Sequence, residues 1–144
     1  LQIHHIPKGP LMLRDIGLSR TELISGDHSE HKLTQIRQIL STYSQLPFLL
    51  LGDSGQEDPS IYLQVVREFP GRILMIFIRD VHASRHEMVE KIRKEIKELG
   101  VEMLLVKNTL EASQYALEKG WVLEEDLVDI AQEKVKDEAE NEQV

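Results

Sequence analysis

The apolar residues of this chain form short continuous runs that alternate with stretches of helical periodicity. Three runs have strand length, at residues 47–51, 72–78 and 101–106. The first, a continuous apolar run, predicts a strand buried on both faces, as in a parallel sheet. The second predicts another buried strand, and the third a further strand. A shorter run at 10–14 is a further strand candidate, followed by a polar loop to about residue 30. Strands that alternate with helices of about 12 residues predict an α/β fold.

Two helices are predicted on either side of the first buried run. Residues 31–44 carry apolar side chains at the i, i+3, i+4, i+7 spacing of a helix. Asp58 is placed to cap the second helix, and Pro59 suits its first turn. We expect this helix to end near residue 69, before a Pro-Gly pair.

Two further helices follow the second and third runs. Residues 85–98 predict a helix that ends at Gly100, a residue suited to terminate it. Its apolar stripe consists of Met88, Ile92, Ile96 and Leu99. The last helix is predicted to begin at Thr109, as its cap, and to end at Gly120. We therefore expect one α/β domain over 1–123, and an acidic tail over 124–144 that is a frayed helix or disordered.

Composition restricts the function classes. The 144 residues suffice for one domain with a core, and the net charge of −8 argues against a nonspecific nucleic-acid surface. The absence of cysteine excludes disulfides and thiolate zinc sites. No apolar run approaches the roughly 20 residues of a transmembrane segment. The chain begins with Leu1 rather than methionine, which is typical of a fragment, a processed product or a trimmed sequence.

Candidate chemistry concentrates in the stretch LLLGDSGQEDP, at residues 49–59. Sites in parallel sheets form beyond the carboxyl ends of the strands. Asp53 directly follows the first buried run and Asp58 begins the next helix, so one turn would hold two carboxylates. Gly52 and Gly55 would let the backbone turn between them. Such oxygen ligands suit Mg²⁺ with waters and a substrate phosphate. The alternative is that Asp58 only caps a helix and Asp53 only turns a loop.

Lys32 and Ser54 are the candidate phosphate contacts. A lysine near a helix N-terminus is slightly unfavourable toward the helix dipole, and phosphate binding would explain its position. The alternative for Lys32 is an ordinary solvated lysine. Ser54 lies in the same loop as the two aspartates.

Other chemistries are less well supported by the residues. A GDSG serine needs a histidine base and an oxyanion hole, and the nucleophile elbow G-x-S-x-G fails at Gln56. His28 and His31 form a weak zinc pattern without cysteines or an H-E-x-x-H helix. The pairs at 14–15 and 79–80 each follow a strand, where they could line a site or form local ion pairs.

Several of these segments occur in an order that resembles a known family. They are residues 7–15, 31–33, 51–62 and 70–81, with weaker similarity at 109–113 and 118–120. Together they closely resemble the catalytic domain of the actin-patch-associated phosphatidate phosphatase family, which belongs to the haloacid-dehalogenase-like phosphatases. The resemblance covers roughly residues 7–122.

This resemblance implies a Mg²⁺-dependent phosphomonoesterase that uses an aspartyl-phosphate intermediate. Lys32 matches the family's phosphate-stabilising lysine, and Asp53 matches its magnesium-binding aspartate. Asp58 matches the carboxylate that supports this aspartate, and we also count Asp58 as a candidate metal ligand. Phosphatidate at a membrane surface is the candidate substrate. The implied location is cytoplasmic, with peripheral membrane association.

The departure from the family is the nucleophile. Its D-x-D-x-T/V motif and its second motif have no match here. The chain therefore resembles a partial Rossmann-like, three-layer fold that lacks the first strands, including the nucleophile strand. We expect it to be inactive alone, and to pair with the missing N-terminal half or a second chain. The alternative function is a non-catalytic α/β interaction domain.

Overall fold

The computed structural model describes residues 27–124, in which strands and helices alternate. The elements are α1 (Asp27–Thr42), β1 (Phe48–Asp53), α2 (Asp58–Glu68), β2 (Ile73–Arg79), a 3₁₀ turn (Ala83–Arg85), α3 (His86–Glu98), β3 (Glu102–Val106) and α4 (Thr109–Glu118). The predicted strand at 10–14 and the tail beyond 124 lie outside the described residues. Every helix and strand predicted between 31 and 120 is present, with shifted ends.

The three strands form one parallel sheet in the order β1-β2-β3, which confirms the predicted α/β class. Asp53 at the end of β1 pairs in register with Arg79 at the end of β2. The carboxyl ends of both strands therefore lie side by side. Within the described residues β1 pairs only with β2, and Leu51 on this edge strand is 59% exposed.

The core is built from the apolar stripes of α1, α2 and α3 together with side chains of the sheet. Its most buried members are Leu40, Val65, Ile76, Ile78, Val89 and Ile96. Burial of one such side chain typically contributes about 1.5–3 kcal/mol. On α3, Ile92 and Ile96 of the predicted stripe are buried and Met88 packs against the core. Val89 is buried as well, and the prediction is wrong only for Leu99, which is 48% exposed. Gly100 ends this helix with φ +83°, as the sequence predicts.

Two predicted helix caps are wrong. The residue preceding α2 is Glu57, and the Asp58 side chain does not cap the helix because its carboxylate is engaged by tertiary partners. Pro59 does lie in the first turn of α2. At α4 the cap is Asn108 rather than Thr109, since the Asn108 side chain accepts the Glu111 N–H at 3.0 Å.

The described residues divide into two compact units, 27–105 and 106–124. The second unit contains α4, whose Ala112 and Ala116 are buried, and the rings of Tyr115 and Trp121 lie 6.4 Å apart. Among the described helices, none is both long and apolar enough to span a membrane.

Candidate functional site

The turn that follows β1 folds back onto the Asp53 carboxylate. Asp53 Oδ1 accepts the backbone N–H groups of Gly55 at 2.9 Å and Gln56 at 3.1 Å. The other oxygen, Oδ2, has no hydrogen-bond partner within residues 27–124. One oxygen thus fixes the loop, and the second makes no hydrogen bond to the described residues.

The Asp58 carboxylate is a buried anion with both oxygens occupied. Its side chain is only 3% exposed. Oδ1 accepts from the Lys32 ammonium, and Oδ2 accepts the Asp53 backbone N–H at 3.1 Å. A buried charge requires such compensation, because removing one partner leaves an unpaired ion in a dry environment. The carboxylate therefore connects α1, β1 and α2.

Gly52 provides the space that the Asp58 carboxylate occupies. A Cβ at position 52 would lie 2.4 Å from Asp58 Oδ2 and 2.7 Å from Asp58 Cβ. Gly52 belongs to β1 and does not have a left-handed conformation. The prediction that Gly52 serves a sharp turn is therefore wrong. Glycine is required here because the Asp58 side chain packs directly against the backbone of residue 52.

Lys32 reaches the same point from α1. Its ammonium bonds Asp58 and lies 5.8 Å from the centroid of the Tyr62 ring. An ammonium has three donors, so two remain for another acceptor. The Tyr62 hydroxyl donates to the Leu51 carbonyl, and burial, followed by the charges of Asp58 and Asp53, raises the pKa of Tyr62. The phenol is therefore protonated at neutral pH.

Lys32 and Asp58 line a cleft of about 310 Å³. The lining residues are Ser29, Lys32, Gly55, Gln56, Glu57, Asp58 and Ile61. Lys32 and Asp58 are thus brought together with the loop that Asp53 holds, although Asp53 itself does not line the cleft. Lys32 is the cation of this lining, and its side chain is 39% exposed. Two carboxylates, Glu57 and Asp58, also belong to the lining.

Ser54, the other candidate phosphate contact, is placed differently. It is 0% exposed, and its hydroxyl bonds the connection that follows β2. A phosphate contact would require this hydroxyl to leave those partners. Sequence reasoning missed Arg85, which donates to the Gly55 carbonyl at 3.1 Å and to Glu57 at 2.8 Å. No local sequence signal indicates that contact across 30 residues.

The metal-binding chemistry of the described residues is limited. Between residues 27 and 124, no group of three or more His, Asp or Glu side chains could hold a metal by itself. The zinc alternative is not tested: His31 Nε2 is buried without a hydrogen-bond partner among the described residues, and the structure does not describe the His28 side chain. A Mg²⁺ ion needs only one or two carboxylates besides waters and substrate, and Asp53 Oδ2 fits that requirement.

An ion pair between α1 and α2 supports the position of Lys32. Both nitrogens of the Arg37 fork bond Glu68 at 2.7 Å, and Arg37 also pairs with Glu30 at 3.1 Å. Hydrogen bonds from Arg37 and then Gln64 lower the pKa of Glu68 to about 2, from an ordinary value of 4.5. Bidentate geometry fixes the two helices relative to each other more strictly than a single contact would.

We expect Glu68→Gln to lower the free energy of unfolding of the natural protein near neutral pH. A depressed pKa contributes stability above the unfolded value of 4.5, and this contribution is lost as the pH falls toward about 2. Because the pair is exposed to solvent, the effect is modest and decreases with salt. Denaturant titrations at several pH values measure it. Glu95→Gln, which breaks the more exposed Arg67 pair, is the matched control. A Glu68 effect independent of pH would contradict the assignment.

Comparisons with known proteins agree with the sequence resemblance. Residues 1–80 match the family model described as phosphatidate phosphatase APP1, catalytic domain. Phosphatidate phosphatase APP1 of Saccharomyces cerevisiae is 27% identical over 113 residues, which cover 74% of this chain and 19% of that protein. The chain thus spans about a fifth of that relative. No solved structure gives a significant match. The family match covers more than half of the sequence, including Lys32, Asp53 and Asp58, so the chain belongs to the phosphatidate phosphatase APP1 catalytic domain family.

Proposed function

We propose that this chain supplies the lysine and metal-binding half of a Mg²⁺-dependent phosphatase that hydrolyses phosphatidate. The observation that carries the proposal is the Lys32–Asp58–Asp53 arrangement. There, a partly exposed ammonium is held at a cleft by a buried carboxylate that also binds the Asp53 backbone. Family membership supports the phosphatase class, and the name of the yeast relative supports phosphatidate as substrate.

In this proposal Lys32 binds the phosphate in the cleft. Asp58 takes one of its three donors and fixes its position, which leaves the other two for phosphate oxygens. Charge that develops on the phosphoryl oxygens during transfer is stabilised by a cation that is already in place. Asp58 keeps its own charge buried and does not compete for solvent or metal.

Asp53 is the residue that would hold Mg²⁺, through Oδ2, which has no hydrogen-bond partner among residues 27–124. The ion would supply charge neutralisation at the phosphate. With both oxygens hydrogen-bonded, Asp58 suits a supporting role better than direct ligation, for which it would have to give up Lys32 or the Asp53 N–H. The loop amides at Gly55 and Gln56 orient Asp53 from the other side.

The nucleophile of the proposed reaction lies outside this chain. The haloacid-dehalogenase resemblance assigns it to the first aspartate of a D-x-D motif, and the 144 residues contain no D-x-D. The aspartyl-phosphate intermediate would form on that residue. The isolated chain is therefore inactive in this proposal.

The proposal is tested by phosphate release from phosphatidate in detergent micelles, catalysed by the full-length natural protein with and without Mg²⁺. We expect Lys32→Met to lower kcat about 10²–10³-fold, the typical loss for one transition-state donor. Lys91→Met, at a lysine 73% exposed on α3, is the matched control and should retain activity. Lys32→Met also leaves Asp58 unpaired, so the melting temperature is measured in parallel.

Three outcomes would refute parts of the proposal. A wild-type protein without phosphatase activity would favour the alternative of a non-catalytic interaction domain. Hydrolysis of a soluble phosphomonoester but not of phosphatidate would refute the substrate. Unchanged kcat in a folded Lys32→Met variant would remove Lys32 from the mechanism.

A further inference from the structure

The buried hydroxyl of Ser54 joins two strand-end loops. Its Oγ accepts the N–H groups of Val81 at 2.9 Å and His82 at 3.2 Å, and donates to Asp80 Oδ1 at 3.1 Å. A hydroxyl has one donor and two acceptor sites, so its capacity is full. The side chain is 0% exposed. Its orientation is therefore fixed by the protein and not by a ligand.

The backbone on both sides of Ser54 is bound to the same connection. The Ser54 N–H donates to the Arg79 carbonyl at 2.9 Å, which extends the pairing of β1 with β2 beyond Asp53. From the 3₁₀ turn, Arg85 bonds the Gly55 carbonyl and Glu57. Residues 53–57 and 79–85 are thus held together at three successive points.

At Gly55, the connection that follows β2 also packs close to the Asp53 carboxylate. A Cβ at Gly55 would lie 2.9 Å from His82 Cδ2, 3.1 Å from Asp53 Oδ1 and 3.2 Å from Val81 Cγ2. The connection after β2 therefore packs directly on the peptide whose N–H binds Asp53. A shift of this connection would move the amide that holds the carboxylate.

We propose that Ser54, through Asp80, and Arg85, through Gly55, are positioning residues for Asp53, and that they set the Mg²⁺ affinity of the site. The inference rests on the proposed function. These contacts hold the backbone amides that bind Asp53 Oδ1. They thereby also fix the direction of Oδ2, which has no hydrogen-bond partner among the described residues. Loss of hydrogen bonds that orient a metal ligand typically lowers metal affinity about 10- to 100-fold.

The experiment measures Mg²⁺ binding by the full-length natural protein without substrate, from the increase in melting temperature on Mg²⁺ titration. Ser54→Ala is expected to raise the apparent Kd about 10- to 100-fold. Because Lys32 keeps its partner, KM for phosphatidate at saturating Mg²⁺ should be unchanged. Asp80→Ala should weaken binding similarly, and Asp80→Asn, which keeps a carbonyl acceptor for Ser54, should regain most of the loss.

The matched control is Ser113→Ala, since the Ser113 hydroxyl donates to the Thr109 carbonyl within α4. It should bind Mg²⁺ as the wild type does. Ser54→Ala removes the acceptor of two N–H groups and could fail to fold. Arg85→Gln then carries the test, because the Arg85 side chain is partly exposed and its ion-pair partner Glu57 is 53% exposed. The same rise in Kd is expected.

The two proposals fail in distinguishable ways. If the wild type is an active Mg²⁺-dependent phosphatase and the folded Ser54 and Arg85 variants bind Mg²⁺ with wild-type affinity, the positioning role is overturned alone. If the wild type binds Mg²⁺ and the variants bind it weakly, but no phosphatase activity exists, the positioning role stands and the proposed function fails. If the wild type binds no Mg²⁺, the positioning role is overturned.

Discussion

Asp53→Asn is expected to abolish the proposed Mg²⁺-dependent phosphatase activity of the full-length natural protein without unfolding it. Asparagine has the same shape, and its carbonyl oxygen can still accept the Gly55 and Gln56 N–H groups. It places a neutral NH₂ group where the unpartnered oxygen lies. A bound metal typically contributes several kcal/mol to the transition state. At about 1.36 kcal/mol per tenfold, we expect kcat to fall at least about 10³-fold.

The measurement is kcat from phosphate release over a range of Mg²⁺ concentrations, with the melting temperature recorded for each variant. Glu87→Gln removes a carboxylate charge on α3, where the side chain is 89% exposed, and serves as the control. It should leave kcat and the Mg²⁺ requirement unchanged. Full activity of Asp53→Asn at wild-type Mg²⁺ concentration would show that Asp53 does not hold the metal.

Gly52→Ala is the second substitution with a large expected effect, because it should destabilise a strand in which alanine is ordinarily favourable. Replacing glycine in a strand usually gains roughly 0.5–1 kcal/mol. Here the new Cβ would meet Asp58 Oδ2 at 2.4 Å and Asp58 Cβ at 2.7 Å. Overpacking of this kind costs about 1–3 kcal/mol. If Asp58 moves instead, Lys32 and the Asp53 N–H lose their acceptor, so activity should fall as well.

A double-mutant cycle separates the steric cause from a general effect on β1. The three nearest atoms to the added Cβ all belong to Asp58. The destabilisation by Gly52→Ala should therefore be much smaller in an Asp58→Gly background. Leu51→Ala is the neighbouring control, since that side chain is 59% exposed and its truncation should cost little. Additive effects of Gly52→Ala and Asp58→Gly, measured by denaturant unfolding, would contradict the close-approach explanation.

Elements were predictable from this sequence where one physical signal determined them. The run at 73–78 is apolar at consecutive positions, and most side chains of β2, the central strand, are buried. Helix ends were harder to predict from the sequence. The first turn of α1, at residues 27–30, has no apolar periodicity and begins four residues before the predicted start. β1 extends through Asp53 because its backbone pairs with β2, a contact that hydrophobicity does not report.

The candidate site was predictable in its residues but not in its connections. Lys32 and Asp58 are 26 positions apart; the resemblance implied a supporting role for Asp58, and no local sequence signal indicates their ion pair. The preference of aspartate for helix caps indicated a local role for Asp58, and two tertiary partners overrode it. The sequence made Ser54 a candidate phosphate contact but did not indicate its burial, because a serine after an aspartate is equally compatible with an exposed loop and a filled hydrogen-bond set.

Because one carboxylate connects three elements, the site should open as a unit. Separation of the α2 N-terminus from β1 would release the Lys32 ammonium and the Asp53 N–H in the same event, since both bond Asp58. Local fluctuations of this turn would then give an all-or-none loss of phosphate contact and loop orientation, rather than a graded loosening. The exchange rate of the Asp53 amide hydrogen would accordingly report the fraction of molecules with an assembled site.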